Sequence, residues 1–535
     1  MLNQRKSAAR TRPVIPYRVS DIEAAPHSWQ TDFGWPVSTA KLIEVSTGVM
    51  RRYVDLIVDA DHAERSILLL GRPFNRAAAI VEAAISIAAE GEAGLELSGP
   101  TDLEILRGTN SIHTTDTELM RLPAPSLHNA WLRRIARMKT WTSWSQLPRA
   151  LLHPNMIAVS HNALLRSEAA QSSSALGFEH ADILFQRCIN EGDREHHGLI
   201  KPHALEELIE RTAMTLADEQ ALHPQMRDRT AMLLRNLCAQ DFGRANATLG
   251  ALTRARSIPL QLWSGSAGPY KVRALGIETL RRGGAAVRFD HGGTVPLMAN
   301  GDFIAQQELA VSSTFVTPTS RAAEVTSIAA GQARLRSEPT AVVRGGRGDP
   351  ALDPGRASPV GAQGPRRRVL YASTCYYPFS QTFPPLPPSA VYLDWQRRLI
   401  LALSRLPIDL IHKPHPGGVY KGCAPSLINL ARVSVRPFEE EITNTDVVVF
   451  DWAASTTFSV ALSSDKIIVL LDFGSMPFDP TIRDEIGIRC RVLPVSSDQR
   501  NRLVVDELAL SEAICAGEAR AEPGPFREFF LGQYA

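Results

Sequence analysis

Four runs in the last third of the chain, "RRVLYAST", "IDLIHK", "DVVVFDW" and "KIIVLLD", carry few or no polar residues in their interiors, and this narrows the fold most. A strand with one wet face alternates apolar and polar residues. A continuous apolar run instead requires cover on both faces, which parallel sheets receive from the helices that connect their strands. The intervening segments "AVYLDWQRRLILALSRL", "FEEEITNT" and "STTFSVALSS" read as those helices. The chain beyond Arg368 is therefore expected to be an open α/β unit.

The earlier half repeats the rhythm with interruptions. "RSILLLGRPFNRAAAIVEAAISIAAEGEAGLELSG" (Arg65 to Gly99) reads as strand, Ala-rich helix and strand, and so does "IPLQLWSGSAGPYKVRALGIETLRRGGAAVRFDHGG" (Ile258 to Gly293). Residues from about Leu152 to Arg256 read as a polar helical elaboration. "GQARLRSEPTAVVRGGRGDPALDPGRASPVGAQGPRRR" (Gly331 to Arg368) is rich in Gly, Pro and Arg; too little of it is apolar to offset the entropy of ordering, so it reads as a linker. At 535 residues the chain exceeds one ordinary core. The expected plan is an α/β fold: an extension over 1–60, a Rossmann-like unit over 61–330 with a helical insertion at 152–256, a linker over 331–368 and a second Rossmann-like unit over 369–535.

Charge excludes some functions. Lys and Arg number 58 against 56 Asp and Glu, so wholesale nucleic-acid binding is not expected. No apolar run reaches the roughly 18–20 residues of a membrane span, and the opening "MLNQRKSAARTRPVIPYR" lacks the apolar core of a signal peptide, so the expected location is cytoplasmic. The six cysteines show no metal-binding spacing and read as reduced packing residues. "DAD" (Asp59 to Asp61) precedes its apolar run instead of following a strand, which argues against a metal site; none is expected, and no cofactor.

In open parallel sheets ligands sit at the carboxyl ends of strands, so polar residues just past the apolar runs are the places to search. Three segments qualify. In "FDWAASTT", Asp451 ends a strand and Ser455, Thr456 and Thr457 begin a helix; such a start can seat phosphate, with all four residues as candidate donor contacts, although a simple helix cap uses the same residues. In "HKPHPGG", Lys413 and His415 can meet a phosphate, with His415 also a candidate catalytic group that donates a hydrogen bond or proton to it, while Pro414 and Pro416 stiffen the backbone. In "RFDHGG", His291 precedes two glycines and suits a general base; Asp290 beside it either orients the ring or faces solvent.

A strand entering Lys-Pro-His-Pro, an acidic strand end before a Ser/Thr helix start, and an upstream His-Gly-Gly together resemble the GT-B-type transferases of bacterial surface and capsular polysaccharide synthesis. The pattern is nearest the capsule enzymes and the CDP-glycerol glycerophosphotransferases. The resemblance is good over about Arg368 to Asp472 and suggestive over about Leu260 to Thr317. It implies two Rossmann-like domains facing across a cleft, with Lys413, His415, Ser455 and Thr456 at the donor phosphate and His291 as base. It also implies a nucleotide-sugar or CDP-glycerol-like donor, a glycan or lipid-linked acceptor, and work compatible with peripheral association at the inner face of the plasma membrane. The closing "GPFREFFLGQYA" would be a helix near the domain junction. Two departures stand out: Trp-Ala-Ala separates Asp451 from Ser455, and Asp290-His291-Gly292 replaces the acidic-acidic-Gly motif of related sialyltransferases.

Two other functions fit the same residues. A nucleotide-sugar epimerase on this fold needs more catalytic acids than these motifs place in the cleft. A non-catalytic scaffold of the same fold would use the helical middle and the linker as partner surfaces.

Overall fold

The computed structural model describes residues 12–24, 32–109, 156–160, 162–171, 177–192, 197–337, 340–355, 366–376, 384–516 and 522–532. Its frame is a pair of six-stranded, wholly parallel sheets. A short parallel pair precedes them, β1 (Val14–Pro16) with β2 (Glu96–Ser98). The first large sheet contains β3 (Met156–Val159), β4 (Gly177–Phe178), β5 (Gln261–Ser264), β6 (Ala285–Phe289), β7 (Thr314–Thr317) and β8 (Val342–Gly345), in the order β4-β3-β5-β6-β7-β8. The second contains β9 (Arg367–Ala372), β10 (Ile408–Lys413), β11 (Arg432–Val433), β12 (Val447–Phe450), β13 (Ile467–Asp472) and β14 (Arg491–Pro494), in the order β11-β10-β9-β12-β13-β14. Counted along the chain, the second order is the doubly wound 3-2-1-4-5-6 of Rossmann folds, and the first begins 2-1-3 as flavodoxin-like sheets do. The protein is thus a mixed α/β fold of two Rossmann-like units. Val447, Val448 and Val449 of β12 are fully buried, as an apolar run covered on both faces must be.

Helices over Thr39–Asp59 (α1), His62–Gly71 (α2), Phe74–Ala93 (α3), Pro202–Ala217 (α4) and Pro224–Arg254 (α5) pack together beside the first sheet. Three expectations change here. "SILLLG" is helix α2, not a strand: Asp61 of "DAD" caps it, accepting from the Ala63 and Glu64 N–H groups at 2.8 Å. Ser66 through Leu70 are all buried, and a wholly buried run has the same pattern in either conformation. Within the first 60 residues, the described helix α1 is not part of a separate extension, because it packs its Leu42, Val45, Val49 and Tyr53 stripe into this bundle. The segment read as polar helical elaboration also supplies β3 and β4, as well as α4 and α5.

The expected linker contributes β8, whose Val343 pairs with Phe315 of β7. Backbone hydrogen bonds to an open sheet edge hold this strand, and they do not depend on the apolar content by which the segment was read as a linker. Residues 356–365 of the same segment lie outside the described residues.

Chain crossings join the units. Met298 and Phe478 form an antiparallel bridge, flanked by Ala299 N–H to Pro477 O (2.7 Å) and Asp479 N–H to Leu297 O (3.0 Å). The helix α6 (Gly524–Leu531) lies at the junction: its Phe529 carbonyl accepts from Thr319 Oγ1 at 2.7 Å, and its Arg527 Nε donates to Ser463 O at 2.9 Å. From the other end of the chain, Glu23 accepts from Ser426 N–H and Oγ at 2.9 and 2.6 Å. Among the described residues no helix is long and apolar enough to cross a membrane, and none of the six cysteines is in a disulfide.

Candidate functional site

The carboxyl ends of the two sheets meet at one place. Ser266 and Gly268 follow β5, His291 follows β6, Ala454 follows β12, and all four line a cavity of about 520 Å³. Asn162, just past β3, ties this edge together: its Nδ2 donates to Gly265 O (3.1 Å) and Asp290 O (2.6 Å), and its Oδ1 accepts from Leu165 N–H (2.9 Å). Loops from three neighbouring strands are thereby held in one arrangement.

His291 is exposed at the cavity, on a turn that only glycine can complete. Gly292 and Gly293 have φ of +83° and +70°, and both face neighbours that leave no room for a side chain. Gly292 lies against Thr456 of the second unit, and Gly293 against Leu352 and Phe530. The turn is wedged between the units.

Asp290 does not face solvent. It is 2% exposed, and neither carboxylate oxygen has a hydrogen bond of normal geometry. Burial, with Asp349 and Glu308 nearby, pushes its pKa up to about 8, against the opposing pull of the Gly293 and His291 N–H groups. Burial thus favours the neutral acid.

Part of the lining is cationic. Arg72 sits at the end of α2 with φ 52° and ψ 52°, a left-handed conformation costly for a residue with a side chain. It donates to Gln307 Oε1 at 2.6 Å. Arg273 lies behind it, fully buried, with its guanidinium spent on the carbonyls of Leu69, Gln306 and Gln307. Glu308 also lines the cavity and accepts from Ala267 N–H at 3.0 Å; burial holds its pKa up.

The donor-side residues fall in two groups. Ser455 caps the helix α7 (Thr456–Leu462) by accepting from Phe458 N–H at 3.3 Å, and its Oγ is 2.9 Å from Thr457 Oγ1. Thr456 touches the His291 turn through Gly292. Lys413 and His415 stand at the end of β10, two strands away across β9, and do not line the cavity. Lys413 has its pKa lowered by partial burial, against the pull of Glu441 and Glu439. His415 accepts from Gly417 N–H at 3.0 Å; partial burial and Lys413 hold its pKa down.

Asp451, expected among the donor contacts, is turned inward. It is 1% exposed and accepts from Tyr371 Oη, from Tyr392 Oη at 3.0 Å and from Trp395 Nε1 at 3.2 Å. Burial raises its pKa to about 6, against the lowering effect of these donors. These bonds tie the end of β12 to β9 and to the helix over Ser389–Ser404. The first histidine of "HKPHPGG" is core as well: His412 stacks on Tyr371 with ring centroids 5.3 Å apart, and its Nε2 is 3.0 Å from Ser373 Oγ.

The strand-exit rule that singled out His291 also applies to Ser266, since "LQLWSGSAG" carries the same strand-then-glycine signal. Arg72 was hidden inside a segment read as strand. Arg273 and Glu308 are separated from their neighbours by tens of residues and carry no local signal. Among the described residues, no three His, Cys, Asp or Glu side chains are grouped to hold a metal ion.

No family model matches this chain, and no curated protein does. Among solved structures, the S. aureus MnaA–UDP co-structure is similar over 71% of this chain and 93% of that one, at 10% identity and a TM-score of 0.35. At that score the likeness says nothing about this chain's ligand.

Proposed function

We propose that this protein is a GT-B-type transferase that moves a glycosyl or glycerol-phosphate group from a nucleotide-activated donor to a glycan or lipid-linked acceptor. The observation that carries the reading is the shared cavity: strand-end loops of both sheets line it, with His291 from the first unit and Ala454 from the second. In this reading the second unit holds the donor, with Lys413, His415 and the Ser455–Thr456–Thr457 turn around its phosphates. The first unit holds the acceptor. His291 takes the proton of the acceptor hydroxyl while that oxygen bonds to the donor carbon or phosphorus, and the bond to the leaving phosphate oxygen breaks. Lys413 and His415 stabilise the charge that develops on the nucleotide.

Calorimetric titration with UDP, CDP, GDP and CMP tests the donor half. One nucleotide should bind wild type, bind Lys413→Ala at least tenfold more weakly, and bind His291→Ala unchanged while turnover disappears. Absence of binding by every nucleotide would remove the donor assignment.

A nucleotide-sugar epimerase is the second reading, favoured by two acids that the motifs did not place at the site: Glu308 in the cavity lining and Asp290 buried beside His291. An epimerase converts a nucleotide sugar with no acceptor present; a hydrolysing one takes up water at the cleaved sugar–phosphate bond and releases free nucleotide and an altered sugar. Incubation without acceptor separates the two: conversion supports the epimerase, and dependence on acceptor the transferase.

A further inference from the structure

Two guanidinium groups, Arg72 and Arg273, line the cavity, a third, Arg288, is buried near Arg273, and a single carboxylate, Glu308, acts electrostatically on all three. Arg273 and Arg288 are fully buried. Arg273 spends its donors on backbone carbonyls; Arg288 donates to Ser264 Oγ and to Val272 O at 3.3 Å. Arg72, which lines the cavity, donates only to neutral groups, Gln307 Oε1 at 2.6 Å and Gly268 O at 3.5 Å. Among the described residues none of the three forms an ion pair, and Glu308 itself answers the Ala267 N–H at 3.0 Å. Three guanidinium groups facing one carboxylate leave buried positive charge under-compensated, which is costly, and a planar fork with spare donors matches a phosphate or carboxylate. The left-handed backbone at Arg72 fits the same picture, because strain of this kind persists where surrounding structure holds a residue for a task.

We propose that this cavity binds an oxyanion carried by the acceptor, a phosphate or a carboxylate on a sugar-sized molecule, with Arg72 as its direct contact and Arg273 positioning the wall behind it. The inference rests on the reading that the cavity is the acceptor's. It narrows that acceptor to an anionic one and separates its subsite from the nucleotide's.

The test is calorimetric titration with glucose 1-phosphate, glucuronate and glucose. Wild type should bind one or both anionic sugars and glucose at least tenfold more weakly; which of the two binds tells phosphate from carboxylate. Arg72→Gln should lose at least tenfold in that affinity and Arg72→Lys less. Asn75→Asp places an isosteric negative charge in the lining and should also lose at least tenfold, so the test stands if Arg72→Gln does not fold. Equal binding of glucose, no binding of either anionic sugar, or full anion affinity in Arg72→Gln or Asn75→Asp would overturn the inference. Nucleotide titrations on the same variants keep the two questions apart. Anionic sugar binding without nucleotide binding would sink the transferase reading and leave the oxyanion subsite standing; nucleotide binding without it would do the reverse.

Discussion

Gly292 of the first unit lies against Thr456 of the second, and a Cβ on Gly292 would overlap the Thr456 Oγ1. With φ at +83°, the position excludes a side chain twice over, once by backbone conformation and once by contact. The residue beside the proposed base is therefore part of the seam between the units.

Gly292→Ala should cost about 2–4 kcal/mol, combining left-handed strain with the overlap. Pairing it with Thr456→Ala should recover part of that loss, since the overlap is relieved and the strain is not. A double-mutant cycle by urea unfolding measures this, with a coupling of about 0.5–3 kcal/mol expected for residues in contact. Strict additivity would mean that the two loops do not press on each other.

Asp290 gives a pH signature. Its folded pKa, about 8, lies above the ordinary aspartate value of 3.8, so between those values the folded state holds more protons than the unfolded one. This contribution to stability is fully present below about pH 4 and falls as pH rises towards 8, with a limiting slope of about 1.4 kcal/mol per unit. Asp290→Asn lacks the ionisation. Its stability relative to wild type should rise steadily between pH 4 and 8, and a pH-independent difference would show that Asp290 is ionised in the fold.

Asp451→Ala should destabilise by about 2–5 kcal/mol, because two phenols and an indole N–H lose a buried acceptor. Asp451→Asn keeps one acceptor oxygen and should cost less than half as much. Thermal unfolding of the two variants checks the ordering, and equal effects would argue that volume, not hydrogen bonding, is what matters there.

Asn162→Ala removes the clamp from the carbonyls of Gly265 and Asp290. A loss of about 1–3 kcal/mol is expected. Hydrogen exchange at the amides of Ser266 and His291 should speed up more than at those of β12, because the loops released are those of the first sheet. Uniform acceleration in both units would identify a global effect.

Much of the second unit is legible in its amino acids. The runs at β9, β10, β12 and β13 are apolar because both of their faces are covered, and the helix at Thr456–Leu462 announces itself by Ser455 at its cap. The His291 turn is legible for the same reason, a histidine and two glycines directly after a strand. Elsewhere local pattern was silent or ambiguous. "SILLLG" became a helix because a segment buried all round has no wet face to set its period. Asp451 looked outward at a strand end, but Tyr371, Tyr392 and Trp395 come from β9 and from the helix over Ser389–Ser404, and no spacing along the chain foretells their convergence.

Sequence alone determined that this chain would form parallel sheets with polar residues gathered at their strand ends, since strand burial and helix cover follow from local apolar content. Only the tertiary structure decided what those ends face. It set His291 against the second unit through Gly292, turned Asp451 and His412 into the core, buried Asp290, and brought Arg72, Arg273 and Glu308 to one cavity wall from positions far apart in the chain. Charge and hydrogen bonding act through space over a few ångströms, and that proximity is created by packing, which local pattern does not encode.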